Sequence, residues 1–121
     1  MTIDQQLRGK KGEELAASYL KSQGYKILER NFKKRYGEID IIAQSGSTLV
    51  FIEVKTRWSR KFGLPEEAVT PWKLKSVIRT AQYYKMLHPE LPEAMRIDVV
   101  AVDFCARGRE KRIRLIKNVT G

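Results

Sequence analysis

The chain has 121 residues and a hydrophobic content of 42%, which is sufficient for one domain with its own core and argues against disorder. Its 24 Lys and Arg residues exceed its 14 Asp and Glu residues, so the formal net charge is +10 at pH 7. A small domain this basic most often binds a polyanion, which makes nucleic acid the leading candidate partner and an anionic membrane the second. The sequence contains no convincing basic amphipathic helix with exposed bulky residues, which is what binding to a membrane would require.

The cysteine content and the lack of long apolar segments indicate in which cellular compartment the protein is expected. Cys105 is the only cysteine, which excludes an internal disulfide and a zinc site built from cysteines. Residues 1–8 contain no apolar core of a secretory signal, and no apolar stretch approaches the ~20 residues that span a bilayer. We therefore expect a cytoplasmic protein.

The first half of the chain predicts a helix followed by three strands. The helix runs from about Asp4 to Gln23, and Gly24 provides its C-cap. The strands are predicted over residues 25–32, 38–44 and 48–56, with a tight antiparallel hairpin at 45–47 between the second and the third. A charged loop, residues 57–69, follows the third strand.

The second half predicts another helix and two more strands. The helix begins at Thr70-Pro71, an N-cap followed by proline at the first helical position, and ends near His88-Pro89. The strands cover residues 95–104 and 112–118, and the helix before them permits a parallel crossover. This order predicts a single α/β domain over residues 1–121, with a central mixed five-stranded sheet flanked by helices.

Two apolar strands carry charges where a core strand would have Val or Ile. Alternation puts Asp40 and Glu53 on one face, and closure of the hairpin at 45–48 places Asp40 opposite Glu53 and Glu38 opposite Lys55. Directly opposed Cβ atoms are ~5 Å apart, so the two carboxylates could share a cation. A slip of one residue would separate them onto different faces.

The first helix offers a third carboxylate. Glu13 lies within the apolar stripe of this helix, with Ala16, Ala17 and Leu20, and is expected to point at the sheet, whereas Glu14 points sideways to solvent. A glutamate aimed at two other carboxylates is repelled unless a cation accompanies them.

These residues predict a Mg²⁺ or Mn²⁺ site with the chemistry of a phosphodiesterase. Asp40 and Glu53 would be direct ligands, and Glu13 would bind directly or through water. Lys55 would stabilise a hydroxide and the charge that develops on the phosphate. Glu38 would support the site by pairing with Lys55 or by capping the turn after Gly37. A Glu-x-Lys motif alone is usually a solvated strand face, and it is the addition of the other two acids that favours catalysis.

Basic residues around this site predict contacts to the nucleic-acid backbone. The predicted phosphate-binding residues are Arg57, Lys73, Lys75, Lys33, Lys34 and Arg35. Such contacts predict salt-sensitive binding with weak sequence preference.

Trp58 and Trp72 bracket the charged loop, where packing beneath the loop is favoured over base stacking. Arg96 and Asp98 share a strand face and are expected to form a structural pair.

Five segments in order resemble the YraN family, small bacterial proteins also known as UPF0102: GKKGE (9–13), RN (30–31), GEID (37–40), FIEVKTR (51–57) and RIDVV (96–100). The resemblance covers about residues 9–102 and implies a restriction-endonuclease-like fold, distantly similar to archaeal Holliday junction resolvases. It implies that Asp40, Glu53 and Lys55 correspond to the Asp…Glu-x-Lys catalytic set of that superfamily, and that Glu13 matches a helical glutamate found in many members. Residues 117–121 depart from the more apolar ending expected for the family.

The sequence therefore predicts a metal-dependent endonuclease that acts on DNA. Structure-specific cleavage of junctions, flaps or branched intermediates is favoured, because 121 residues leave little material for a base-reading module. Junction resolution would need two active sites and hence a homodimer. The alternatives are a non-catalytic nucleic-acid-binding protein with the same fold, an RNA-directed nuclease, and a regulatory protein that binds another protein.

Overall fold

A computed structural model describes residues 3–59, 69–105 and 110–120, and within these ranges it contains two helices and five strands. The elements are α1 (Ile3–Ser22), β1 (Lys26–Lys34), β2 (Gly37–Ser45), β3 (Thr48–Ser59), α2 (Pro71–Leu87), β4 (Ala94–Cys105) and β5 (Glu110–Ile116). The predicted order of elements is confirmed. β3 continues three residues past its predicted end at residue 56, into the segment predicted as a charged loop. The rest of that loop up to residue 68, and residues 106–109 between the last two predicted strands, lie outside the described residues.

The five strands form one mixed sheet in the order β1-β2-β3-β4-β5. All neighbours are antiparallel except β3 and β4, which pair in parallel from Thr48 with Ala94 to Ser59 with Cys105. Parallel neighbours require a crossover connection, and α2 lies within it. The predicted α/β class, hairpin and parallel crossover are thus confirmed, in an architecture consistent with a restriction-endonuclease-like fold.

Helix α1 covers one face of the sheet. It ends at Gly24, whose φ of +89° is readily adopted by glycine, and the Tyr25 N–H donates to the Leu20 carbonyl at 3.0 Å. The buried contacts join small and branched side chains of the helix to alternate residues of the strands: Ala16, Ala17, Leu20, Ile41, Ala43, Val50, Ile52, Val100 and Val102.

Helix α2 covers the other face. Its first turn is fixed by Thr70, whose hydroxyl accepts a hydrogen bond from the Lys73 N–H at 3.1 Å, and by Pro71 at the start of the helix. The core on this side is more aromatic, and it contains Phe32, Ile39, Ile42, Leu49, Phe51, Val77, Ala81, Tyr84 and Ile97.

The two cores assign each strand residue to a layer. Ile41 and Ile52 face α1, whereas their neighbours Ile42 and Phe51 face α2. Because side chains alternate along a strand, residues two positions away from Ile42 and Phe51 also lie on the α2 side. This rule places Asp40 and Glu53 on the α2 side of the sheet.

The two tryptophans differ in their surroundings. Trp58 stacks on Phe104 with ring centroids 4.5 Å apart, but Trp72 is 84% exposed, so the expectation of packing was wrong for Trp72. The reason is helical phase: Leu74 packs toward the sheet, and a residue two positions earlier lies about 200° away around the helix.

In the described part of the chain, no helix is long and apolar enough to cross a membrane.

Asp98 forms the centre of a buried polar network, which confirms its predicted pairing with Arg96. Its side chain is fully buried and accepts hydrogen bonds from Tyr25 Oη at 2.9 Å, from Arg96 Nε at 3.0 Å and from the Asn118 N–H at 2.9 Å. These bonds tie the end of α1 and the residues after β5 to the start of β4. A buried carboxylate with this many donors is a structural element of the fold.

We expect Asp98→Ala to lower the free energy of unfolding by about 3 kcal/mol, because it leaves the buried Tyr25 hydroxyl and the Arg96 guanidinium without their acceptor. Urea denaturation of wild type and variant measures the change. Glu93→Ala is the matched control, since the Glu93 side chain is 91% exposed and forms a surface pair with Lys85 at 3.2 Å, and no measurable loss is expected. Equal stabilities of wild type and Asp98→Ala would contradict the role of this network.

Candidate active site

Asp40 and Glu53 lie where β2 and β3 stop pairing. The ladder runs from Ser45 opposite Thr48 to Ile41 opposite Ile52, so Asp40 and Glu53 come next in the same register. The Val54 N–H donates to Asp40 Oδ2 at 2.8 Å and holds this carboxylate against β3. The predicted register is therefore confirmed up to the last pair before the two acids, and the ladder does not reach Glu38 and Lys55.

Both carboxylates are largely withdrawn from water. Burial, together with repulsion by Glu53, raises the pKa of Asp40 to about 7. Burial also raises the pKa of Glu53, although the positive charges of Lys73 and Lys55 oppose this effect. Two poorly hydrated carboxylates that repel each other favour the binding of a proton or a cation.

Two lysines bring positive charge to this pair. Lys73 Nζ lies 3.7 Å from Glu53 Oε1, and Lys73 belongs to the capped first turn of α2. Lys55 follows Glu53 by two residues and so shares its strand face. Lys73 was predicted to contact a phosphate and is seen here as the ion-pair partner of Glu53.

Glu38 lies at the edge of the site. It pairs across the strands with Lys33 of β1, and its negative charge raises the pKa of both Asp40 and Glu53. The sequence had suggested Lys55 or the turn after Gly37 as its partner. The neighbour of Glu38 on β1 could not be known until the pairing of β1 with β2 was seen.

Glu13 approaches from the opposite layer, on α1. The helix passes very close to β3 at Gly12, where a Cβ atom would collide with the Thr56 side chain. Burial and the charge of Asp40 raise the pKa of Glu13, and Arg30 lowers it. Glu13 is therefore near enough to sense Asp40, as predicted from its place in the apolar stripe of α1.

The nearest charged partner of Glu13 is nevertheless Arg30 on β1. Arg30 bridges both helix acids, with Nη2 3.6 Å from Glu13 Oε1 and Nη1 3.0 Å from Glu14 Oε1. Glu13 Oε1 is buried and makes no hydrogen bond with any residue that the structure describes. No group of three or more acidic, histidine or cysteine side chains in the described ranges is arranged to hold a metal ion. The grouping of Glu13 with Asp40 and Glu53 around one cation thus stays a prediction.

Arg57 lies in a cluster of arginines around Asp103. Its Nε is 2.9 Å from Asp103 Oδ1, while Arg114 and Arg112 reach Oδ2 at 2.7 and 3.5 Å. Burial opposes ionisation of Asp103, but the hydrogen bonds from Arg57 and Arg114 outweigh it and keep the pKa of this carboxyl below its usual value. Arg57 is thus held beside the site by an acid, and its predicted phosphate contact stays a prediction.

The remaining basic residues predicted to bind nucleic acid form an exposed rim. Lys33, Lys34 and Arg35 lie in and beside the β1–β2 turn, and Lys75 lies on α2. Ser76 of α2 donates a hydrogen bond of 2.6 Å to the Tyr36 carbonyl in that turn, so the two basic segments lie side by side. Lys75 is two residues from Lys73, the ion-pair partner of Glu53.

Two contributors were missed by sequence reasoning. Arg30 was noted only as part of a motif, and nothing in the sequence pointed to Glu13 and Glu14 as its partners. Asp103 had a usable signal, because an acid between Val102 and Phe104 in a buried strand needs cationic partners, and Arg112 and Arg114 alternate on the next strand.

Comparison with known proteins gives consistent matches over most of the chain. The profile of the uncharacterised protein family UPF0102 matches residues 12–102. A UPF0102 protein of Syntrophus aciditrophicus is 48% identical over 117 residues, which are 96% of this chain and 91% of the relative. UPF0102 proteins of Caldicellulosiruptor saccharolyticus and Geobacter metallireducens are 46% and 42% identical, over 91% and 98% of this chain and 93% and 95% of their own lengths.

The raised pKa of Asp40 predicts a specific pH dependence of stability. Asp40 has a pKa of about 7 in the fold against 3.8 ordinarily, so the folded state holds this proton more tightly, and its stability falls as pH rises through this window. In EDTA, the free energy of unfolding of Asp40→Asn relative to wild type should increase from pH 5 to pH 8, by on the order of 2 kcal/mol. Thermal unfolding at both pH values measures the difference. Added Mg²⁺ should reduce this stability difference at pH 8 by stabilising wild type. A stability difference that does not change with pH would contradict the raised pKa of Asp40.

Proposed function

This chain belongs to the uncharacterised protein family UPF0102, and we propose that it is a metal-dependent endonuclease that hydrolyses phosphodiester bonds of DNA, with a preference for branched structures. The observation that carries the proposal is the pair formed by Asp40 and Glu53. Glu53 is buried and Asp40 is half-buried, they repel each other, and they lie beside Lys55 and Lys73 where two central strands stop pairing. A fold stabilised only by its core would gain from apolar residues at these positions.

The carboxylate oxygens of Asp40 and Glu53 are the type of ligand that a small divalent cation prefers. Asp40 and Glu53 would hold Mg²⁺ or Mn²⁺, and Glu13, which is paired with Arg30 in the described part of the chain, would contribute directly or through water. When bound, such a cation would supply a water of lowered pKa and stabilise charge on the phosphate. The raised pKa of Asp40 supports this fit, since the site as described has too little positive charge for its acids.

The chain's own groups have separable roles in this proposal. The Val54 N–H fixes the orientation of Asp40, so that one carboxylate oxygen is already committed to the backbone. Lys55 would place its ammonium beside the scissile phosphate, where it would stabilise the negative charge that develops. Lys73 offsets the negative charge of Glu53, with Nζ 3.7 Å from Oε1.

The surface around the site supports backbone recognition over base reading. Lys33, Lys34, Arg35 and Lys75 form an exposed positive rim that would hold phosphates of either strand. In the described ranges both helices pack on the sheet, and the sequence contains no helix-turn-helix pattern. We therefore propose specificity for DNA structure. Resolution of a four-way junction would use two copies of the chain. The proposal includes a cytoplasmic location, where DNA is accessible.

A cleavage assay tests the proposal directly. We expect wild type with Mg²⁺ or Mn²⁺ to cut a labelled four-way junction or flap faster than a linear duplex or a single strand, and EDTA to abolish cutting. Glu53→Gln removes a proposed cation ligand with little change in shape and should lower the rate by at least about 100-fold. Glu93→Gln alters an exposed carboxylate that follows the C-terminal end of α2, whereas Lys73 is in the first turn of that helix. This variant should cut like wild type.

The alternatives give different results in the same assay. Salt-sensitive binding without cutting of any substrate would favour the non-catalytic binding protein. Cutting of matched RNA but not DNA would favour the RNA-directed nuclease. Equal rates for wild type and Glu53→Gln would remove the carboxylate pair from the mechanism.

A further inference from the structure

Trp72 presents an indole ring to solvent next to the candidate active site. Its side chain is 84% exposed, although burying an indole is among the larger apolar gains available to a fold. It directly precedes Lys73, whose Nζ contacts the Glu53 carboxylate. The indole is therefore exposed one residue from a side chain of the candidate site.

A surface depression of about 280 Å³ lies beside this ring. It is lined by Tyr36, Trp72, Lys75, Ser76 and Arg79. The helix residues among them are spaced by three to four positions, which places them on one side of α2. Among the described residues, the lining combines two aromatic rings, two cations and two hydroxyls, and it includes no acid.

The depression is held in shape by contacts between the β1–β2 turn and α2. Ser76 Oγ donates to the Tyr36 carbonyl at 2.6 Å, and the Arg79 guanidinium carbon lies 4.1 Å from the centre of the Tyr36 ring. Gly37 permits this approach, since a Cβ there would collide with the Ser76 hydroxyl. Tyr36 and Arg79 are thus already fixed against each other, while Trp72 keeps its exposed face.

Charge and shape together identify the class of ligand. Lys33, Lys34 and Arg35 border the turn, and Lys75 and Arg79 lie in the depression, so the surroundings attract phosphates. An aromatic ring among cations suits a nucleotide, whose base stacks on the ring while its phosphate meets the positive charge. A base inside a duplex has both faces covered by its neighbours, so only an unpaired base can stack on Trp72.

We propose that Trp72, with Tyr36, Lys75 and Arg79, forms a stacking site for an unpaired nucleotide of branched DNA, next to the position of cleavage. This inference rests on the proposed function and narrows its substrate to DNA in which a single-stranded segment leaves the duplex close to the scissile bond.

Binding measured in EDTA tests the stacking site independently of cleavage. Fluorescence anisotropy compares a duplex that carries a single-stranded flap with a blunt duplex, for wild type, Trp72→Ala and Trp72→Phe. Trp72→Ala should bind the flap about 5- to 150-fold more weakly and the blunt duplex unchanged, whereas Trp72→Phe should retain most flap affinity because it keeps an aromatic face. Met86→Ala, which removes an exposed apolar side chain elsewhere on α2, should behave like wild type.

Intrinsic fluorescence gives a second readout. The chain has two tryptophans, so Trp58→Phe leaves Trp72 as the only indole. Addition of the flap should quench its emission, and the blunt duplex should not. The stacking site is wrong if Trp72→Ala weakens both DNAs equally, if Trp72→Phe binds as poorly as Trp72→Ala, or if the flap causes no quenching.

The failure of the two proposals can be told apart. If wild type binds the flap through Trp72 yet cuts no DNA with Mg²⁺ or Mn²⁺, the nuclease proposal fails and the stacking site stands. If wild type cuts flaps and Trp72→Ala binds and cuts them equally well, the stacking site alone fails.

Discussion

Strand β3 is buried on both faces, and the polar chemistry of the molecule begins where that burial ends. From Leu49 to Ile52 every side chain is almost completely covered, by α1 on one face and by α2 on the other. From Glu53 onward, charged residues occupy one face of the strand, while Val54 still packs on the α1 side. The site therefore adjoins the most deeply buried part of the sheet, and its acids are poorly hydrated because they lie next to the core.

This position explains the electrostatics of a chain with a net charge of +10. Most of the basic residues around the site lie at the surface, where water already stabilises them. Asp40 and Glu53 lack that hydration and depend on Lys55, Lys73 and one backbone N–H. The contrast with Asp103, which has three arginine partners and a lowered pKa, is informative. Of two acidic sites near the same end of the sheet, one is compensated and the other is left with raised pKa values.

The sequence predicted the elements and the acid pair because both depend on local patterns. Alternation and a short hairpin are enough to bring Asp40 and Glu53 to the same register. Glu13 shows the limit of this reasoning. The helical wheel correctly directed it toward the sheet, but could not tell which face α1 would cover. Since α1 packs on the Ile41 and Ile52 face, Glu13 reaches the acids from across the sheet, with Arg30 beside it. Trp72 was misjudged for a related reason, because the side of α2 that faces the sheet is set by Leu74 and Val77.

The parallel pairing of β3 with β4 also has a consequence for how the chain folds. Paired residues in these strands, such as Thr48 and Ala94, are 46 positions apart, whereas β2 and β3 are joined by a tight hairpin. Local pairings close with a smaller loss of chain entropy, so we expect the hairpin to form before the crossover is complete. Asp40 and Glu53 would then meet while still hydrated, before α2 covers the sheet and delivers Lys73. On this view the two acids lose their water only in the last stage of folding, when α2 docks and brings with it the positive charge that makes their burial tolerable.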